Sequence, residues 1–241
     1  MWAPNLQTPE TDTGSAMANC LILGASRGIG RELARQYAAA GDRVIATVRR
    51  SADAGALRDE GVAGVIEVDL AQPSAVEILW TALADEPLDV AIIAAGVSGP
   101  VTTGLAAPTA AEFDAVMHAN VYPAMQVIPL LAYKLAATHG KLALLSSRMG
   151  SIGSMAEANW WLYRASKAAL NAVLKCAAVE LGPRGVVCMA LHPGWVRTDM
   201  GGPNADLCVE ESAAALRRVI AAANSSHNGR FLNFTGEQIE W

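Results

Sequence analysis

The sequence predicts an α/β fold: a single doubly wound domain whose parallel sheet of about seven strands carries helices on both faces. Three observations predict it. Short apolar runs alternate with helix-length amphipathic segments from Cys20 to Phe234. The runs are continuous (Val44–Val48 reads VIATV) and do not alternate in and out, as strands buried on both faces require. The chain has 241 residues, 52% hydrophobic and only 17% charged, which suits one large domain with a substantial core.

The elements follow in order. Cys20–Leu23 is the first strand, and Gly24 opens a glycine-rich turn. Arg31–Ala40 is a helix with Leu33, Ala34, Tyr37 and Ala38 on one face, stopped at Gly41. Val44–Val48 and Val65–Val68 are the next strands. Pro73 starts a helix through Ala84, since proline is tolerated in a first turn. Asp89–Ala94 is the fourth strand. Thr109–His139 is mostly helical, with a kink or break expected near Pro123 or Pro129. Leu142–Leu145 is the fifth strand, and Trp160–Leu181 a long helix ended by Gly182-Pro183. Val186–Leu191, a helix over Glu210–Ala223 and a short strand Arg230–Phe234 complete the pattern. No repeat or interdomain linker interrupts it. Residues 19–241 are expected to form the domain, with 1–18 a polar leader and Met17 a possible true start.

The bulk numbers exclude several functions. Net charge is −5 and no basic block stands out, so nucleic acid is not an expected partner. No apolar run reaches the ~18 residues of a membrane span. The leader has no apolar core of a signal peptide. The four cysteines, Cys20, Cys176, Cys188 and Cys208, form no CxxC and lie at no metal-ligand spacing from a histidine. They read as reduced thiols of a cytoplasmic protein without a metal site.

Two stretches carry chemistry. The first is Gly24-Ala25-Ser26-Arg27-Gly28-Ile29-Gly30, which joins a strand to a helix. Such glycines let the backbone approach a pyrophosphate at a helix N-terminus. The second strand ends Val48-Arg49, with no acid to bind a ribose 2′-hydroxyl. Arg49 and Arg27 are two cations suited to one 2′-phosphate, so NADP(H) is expected in preference to NAD(H).

The second stretch is Leu144–Lys167. Tyr163 and Lys167 are four apart and share a helix face. Reducing a ketone places negative charge on its oxygen, and a donor must protonate it near neutral pH. An ammonium ~5 Å from a phenol gives roughly 3 kcal/mol at an effective dielectric of ~20, which would bring Tyr163 to about 8.

The Gly-x3-Gly-x-Gly spacing and Tyr163-x3-Lys167 together resemble the short-chain dehydrogenases/reductases, a Rossmann-fold family. The resemblance covers about Asn19 to Trp241. It implies catalytic roles for Asn120 (in HANVYP), Ser147, Tyr163 and Lys167. Ser147 is the matching serine of Ser146-Ser147 because Arg-Met-Gly follows it. In this family the serine orients the substrate oxygen, the lysine also bonds the nicotinamide ribose, and the asparagine's freed carbonyl holds a relay water. The resemblance further implies cofactor contacts from Gly24, Ser26, Arg27, Gly28, Ile29, Gly30 and Arg49. Asp69 and Leu70 would meet the adenine. Ala95 and Gly96 end the fourth strand, where Ile93 and Ala94 replace the family's usual asparagines. Pro193 and Gly194 turn the chain beside the nicotinamide, and Val196 and Thr198 would bond its carboxamide, exposing the pro-S face.

RMGS, YRASKAALN, PGWVRTDMGG and NFTGEQIEW look like the branch of C-factor proteins and sniffer-type carbonyl reductases. That branch implies a small carbonyl or alcohol substrate. The alternative is an NADP(H)-binding regulatory or signalling protein of the C-factor type with little turnover, or a nucleotide-binding scaffold. Ser147 and Tyr163 are sixteen apart, more than in many members, and the added residues fall in a loop expected to rim the pocket. Met149, Trp160, Trp161 and Trp195 are candidate apolar walls. His192 is expected to be structural. Small residues along Trp160–Leu181 (Ala165, Ala168, Ala169, Ala172) suit a dimer or tetramer.

Overall fold

A computed structural model of the chain describes residues 17–241. Residues 1–16, and with them most of the expected leader, lie outside the described residues. Seven strands form one sheet in the order β3-β2-β1-β4-β5-β6-β7. They are β1 Asn19–Leu23, β2 Arg43–Val48, β3 Gly64–Glu67, β4 Val90–Ile93, β5 Lys141–Leu145, β6 Val187–His192 and β7 Arg230–Asn233. Every ladder is parallel. The helices are α1 Gly28–Ala39, α2 Ala54–Asp59, α3 Ala75–Leu83, α4 Ala110–Asn120, α5 Tyr122–Ala136, α6 Trp161–Leu181 and α7 Val209–Ala222.

The continuous apolar runs have a direct cause. Successive side chains of a strand point to opposite faces, and both faces are covered. Leu21 and Leu23 pack with Leu79, Leu131, Leu135 and Leu174 on the α3, α5 and α6 side. Cys20 and Ile22 pack with Leu33, Leu57 and Leu216 on the α1, α2 and α7 side. Only a strand apolar at every position satisfies both layers.

The expected break between the long helices falls at Val121, whose φ of −116° separates α4 from α5. Pro123 then sits in the first turn of α5, where its missing N–H has no intrahelical partner to lose. Pro129 lies within α5, which continues through it to Ala136. Helix α2 was not expected. It is six residues long, and its two buried side chains, Ala54 and Leu57, are too few to make a periodic signal. The four cysteines are free thiols, as expected.

From β1 the chain moves outward to β2 and β3, then returns to place β4 on the other side of β1. The loops after β1 and β4 therefore diverge and leave a crevice at the carboxyl ends of the strands. The site described below occupies that crevice. Among the described residues, no helix is long and apolar enough to cross a membrane. No group of three or more His, Cys, Asp or Glu side chains is arranged to hold a metal ion among those residues.

Leu131 is fully buried between α5 and the sheet. Leu131→Ala should lower the unfolding free energy by about 2–5 kcal/mol in urea titration, through lost burial and a residual cavity. A loss below about 1 kcal/mol would mean that this layer is not closely packed.

Candidate active site

A groove of about 540 Å³ runs along the carboxyl edge of the sheet. At one end lies the glycine turn. Thr47 in β2 fixes its start: Gly24 N–H donates to Thr47 Oγ1 at 2.9 Å, and Ala25 N–H to the Thr47 carbonyl at 2.8 Å. A Cβ on Gly30 would lie 2.2 Å from the Gly24 carbonyl oxygen, so the turn closes only around glycine. Helix α1 then begins without a side-chain cap and without an acid in its first turn. Helices α4 and α7 by contrast carry capping boxes with Glu112 and Glu211. Uncapped N–H groups at a helix start favour an anion. The residues present thus fit the diphosphate of a dinucleotide.

Arg27 and Arg49 stand on this end of the groove. Arg49 N–H donates to Ser26 Oγ at 3.3 Å, so the end of β2 is tied to the glycine turn. Arg27 pairs with Asp199, which lies on the loop after β6. Asp69 lines the groove with Leu70, and its carboxylate accepts from Ala71 N–H at 3.0 Å.

At the other end lie Tyr163 and Lys167, one turn apart on α6 and both buried. Lys167 Nζ donates to the Leu145 carbonyl at 2.9 Å, at the end of β5, and lies 5.8 Å from the centre of the Tyr163 ring. A Cβ on Gly96 would come within 3.3 Å of Lys167 Nζ and 3.1 Å of Asn120 Oδ1, so glycine at that strand end leaves both groups their space. Ser146 Oγ donates inward to Asn171 Oδ1 at 2.6 Å. Ser146 lines the groove, whereas the Ser147 hydroxyl acts to lower the Tyr163 pKa against the larger effect of burial. Its Oγ also accepts from Met149 N–H at 3.2 Å.

Asn120 ends α4 and faces the same cluster. Its Oδ1 accepts from Val97 N–H at 2.7 Å, while its Nδ2 donates to the Val97 carbonyl at 2.9 Å and to Ser166 Oγ at 2.9 Å. Ser166 Oγ in turn donates to the Tyr163 carbonyl at 2.8 Å. The side chain thus joins the loop after β4 to the first turn of α6.

Most of the expected residues line the groove, including Pro193 and Thr198 on the loop after β6 and Ala95 and Gly96 after β4. Asn120, Ser147, Gly194 and Val196 stand outside its wall. Val196 is buried and bridges to Leu207, and a Cβ on Gly194 would meet the Leu207 side chain at 2.5 Å. These two shape the loop that carries Thr198. Thr198 Oγ1 donates to the Val196 carbonyl at 3.3 Å and accepts from Gly201 N–H at 3.1 Å. Sequence reasoning missed Thr47, Asp199 and Met200. Met200 Sδ lies 4.0 Å from the Tyr163 hydroxyl. The loop position of Asp199 and Met200, directly after the Thr198 already singled out, was the available signal.

One expectation is corrected. The Tyr163 phenol is not lowered towards 8. Burial pushes its pKa above the ordinary value of 10, and the Ser147 hydroxyl pulls only partly against that. The cause is that both partners are buried. Burial disfavours the ammonium too and brings Lys167 down to about 8. Its Nζ is also directed at the Leu145 carbonyl and lies near the ring face of Tyr163. His192, at the end of β6, is pushed down to about 4 by burial and then by Arg148, so it is neutral at pH 7. Its Nδ1 is buried without a hydrogen-bond partner.

A parallel doubly wound sheet, a glycine turn at its switch point and a Tyr–Lys pair on the next-edge helix define a dinucleotide-dependent oxidoreductase. The family model for short chain dehydrogenase matches residues 18–206, and the chain belongs to that family. The C-signal protein of Myxococcus xanthus is 36% identical over 156 residues, 64% of this chain and 93% of that protein. The carbonyl reductase Sniffer of D. melanogaster superposes with a TM-score of 0.83 at 30% identity, covering 93% of this chain and 100% of that one. An NADPH-bound carbonyl reductase from chicken fatty liver superposes with a TM-score of 0.82 at 26% identity, covering 95% and 97% of the two chains. The resemblance to C-factor and sniffer-type proteins is therefore borne out. The protein is an NAD(P)-dependent oxidoreductase acting on C=O or CH–OH groups of a small molecule.

Lys167 yields a pH signature. Its pKa falls from 10.5 to about 8 on folding, so between those values the unfolded chain binds the additional proton. Stability should then rise with pH across that window. The difference in unfolding free energy between wild type and Lys167→Met should grow by up to about 3 kcal/mol from pH 8 to 10.5, read by denaturant titration. Taking the difference cancels the opposite contribution of Cys20 and Cys188, which burial pushes up to about 12. A flat difference would contradict the burial of this amine.

Proposed function

We propose that the protein is an NADPH-dependent carbonyl reductase, with Asn120, Ser147, Tyr163 and Lys167 as its catalytic set. The carrying observation is that the Tyr163 hydroxyl, neighboured by Ser147, closes one end of a groove whose other end bears Arg27 and Arg49. NADPH, when bound, supplies the hydride. The Ser147 hydroxyl holds and orients the carbonyl oxygen of the substrate. Tyr163 Oη gives that oxygen its proton as negative charge develops there. A phenol with a raised pKa keeps its proton at pH 7 and is in the form a reductase needs. Lys167 is the nearest cation to the phenolate left behind, and it favours that charged form once the proton has gone. Asn120 holds the loop after β4 against α6 and keeps the cluster in register; in this reading its main chain serves the proton relay to Lys167.

The preference for NADP(H) over NAD(H) is supported by the end of β2. Val48 and Arg49 stand there with no carboxylate, and Arg27 is beside them on the groove. The cofactor contacts expected from Gly24, Ser26, Gly28, Ile29, Gly30, Asp69, Leu70, Thr198 and the Gly194–Val196 backbone belong to the same proposal. The domain is taken as 19–241. Four free thiols favour a reducing, cytoplasmic setting. A homodimer or homotetramer through α5 and α6 is supported by Met125, Tyr133 and Val179, large apolar side chains exposed on those helices.

A second reading, an NADP(H)-binding signalling protein with little turnover, is favoured by the likeness to C-signal. NADPH oxidation with a panel of ketones, aldehydes and quinones separates the two. Turnover that Tyr163→Phe reduces at least about a hundredfold, with NADPH binding retained, supports the reductase. Tight NADPH binding without turnover of any member supports the signalling reading. Arg49→Asp should lower the NADPH/NADH ratio of kcat/KM by about tenfold or more, the loss of one charge-assisted phosphate contact. An unchanged ratio would remove Arg49 from the phosphate site.

A further inference from the structure

Four arginines lie in the glycine turn, the first turn of α1 and the end of β2, and they are not equally engaged. Arg31 pairs with Glu60 at 2.6 Å and Arg50 with Asp53 at 3.4 Å, and neither of those acids lines the groove. Arg27 pairs with Asp199, 172 residues further along the chain. Arg49 forms no ion pair among the described residues. Two carboxylates line the groove, Asp69 and Asp199. Asp69 is engaged by the backbone of its own turn. Asp199 faces Arg27. In a groove fitted for phosphate groups a carboxylate repels the ligand, so its presence beside one of the two phosphate-binding arginines calls for a role.

The loop after β6 brings Asp199 to this place. A Cβ on Gly28 would lie 3.5 Å from Thr198 Cγ2, so the loop crosses close to the start of α1. The turn that presents Asp199 has bonds of its own. Gly202 N–H donates to the Thr198 carbonyl at 2.8 Å, and Gly201 N–H to Thr198 Oγ1 at 3.1 Å. At its base Arg197 N–H donates to the Leu207 carbonyl at 2.9 Å, and Leu207 N–H to the Trp195 carbonyl at 3.0 Å. The shape of the turn therefore does not depend on the pair with Arg27. Both charged side chains are exposed, so the pair is screened by salt and opens readily.

We propose that Asp199 sets cofactor selectivity by competing with the 2′-phosphate of NADP(H) for Arg27. This rests on the reading that Arg27 and Arg49 serve that phosphate. A ligand carrying the phosphate takes Arg27 from Asp199, because a dianion is the stronger partner for a guanidinium. A ligand without it leaves the Arg27–Asp199 pair intact. Asp199 thus lowers the affinity for the phosphorylated cofactor and leaves the affinity for the other unchanged. The preference for NADP(H) is held below what two unengaged arginines would give, and bound NADP(H) leaves the groove the more readily.

Adenosine 2′,5′-bisphosphate and adenosine 5′-phosphate differ only in the phosphate at issue and serve as probes. Their binding is measured by calorimetry on wild type, Asp199→Asn, Asp199→Ala, Arg27→Ala and the double variant Arg27→Ala/Asp199→Asn, after thermal melting has confirmed that all fold. Affinity for the bisphosphate should rise about three- to fivefold in both single Asp199 variants, the scale of one exposed ion pair. Agreement between the Asn and Ala variants excludes a new contact from the Asn amide. Affinity for the monophosphate should be the same in wild type and both. In the Arg27→Ala background Asp199→Asn should have no effect, because the competition needs both partners. No rise, an equal rise for the two probes, or a rise that survives without Arg27 overturns the proposal. The same pattern is expected for NADP⁺ against NAD⁺. The pattern without NADPH turnover of any carbonyl keeps the competition and overturns the reductase reading, whereas turnover without the pattern overturns the competition alone. A wild type that binds none of the four ligands overturns both.

Discussion

The hydrogen bond from Lys167 Nζ to the Leu145 carbonyl is the contact on which the geometry of the site depends. It fastens the second turn of α6 to the last residue of β5. Ser147 is two residues beyond that carbonyl, and Tyr163 is one helical turn before that amine. A single bond therefore sets the distance between a strand-end hydroxyl and a helical phenol. The burial of the lysine makes the bond strict. A buried amine without a partner would be costly, so α6 cannot slide along the sheet without breaking it.

The same requirement explains the break between α4 and α5. A continuous helix would carry its side chains past the end of β4. Interrupting it at Val121 leaves Asn120 at a helix end, where its amide can meet both backbone groups of Val97. Through Ser166 the same amide reaches the backbone of Tyr163. Two independent ties, one from β5 and one from the loop after β4, thus converge on one turn of α6. Pairing of every polar atom is what permits such a cluster to be buried.

The sheet and its two helical layers were legible because a parallel sheet buried on both faces writes its strands as continuous apolar runs. The break near Pro123 was legible because proline has few places in a helix. That Tyr163 and Lys167 stand one turn apart beside the groove was legible through their spacing, while Ser147 was named over Ser146 from the residues that follow it and belongs to the proposed function. The direction of the Tyr163 pKa was not, because spacing along a helix gives a distance and says nothing of burial. Asp199 and Met200 were not, because they reach the site from a loop whose path is set by Gly194, Val196 and Leu207. Trp160 was named as a candidate wall but is not among the residues that line the groove, and its left-handed backbone was not legible, since nothing in a tryptophan announces it.

The two ends of the groove differ in the strength of their electrostatics, and that difference fits their roles. Arg27 and Asp199 form an ion pair with side chains 64% and 76% exposed. Such a pair is worth little, because water and salt screen it and both side chains lose freedom to make it. It holds the loop after β6 near the glycine turn, yet a phosphate can take Arg27 from it at small cost, because a dianion offers the guanidinium a stronger partner than a solvated carboxylate. Lys167 has no such freedom. Its ammonium is buried and its bond is made to the backbone, so its position does not vary with what enters the groove. Under the proposed reading, an adjustable cation at the binding end and a fixed one at the chemical end would let the dinucleotide come and go while the proton-transfer geometry stayed constant.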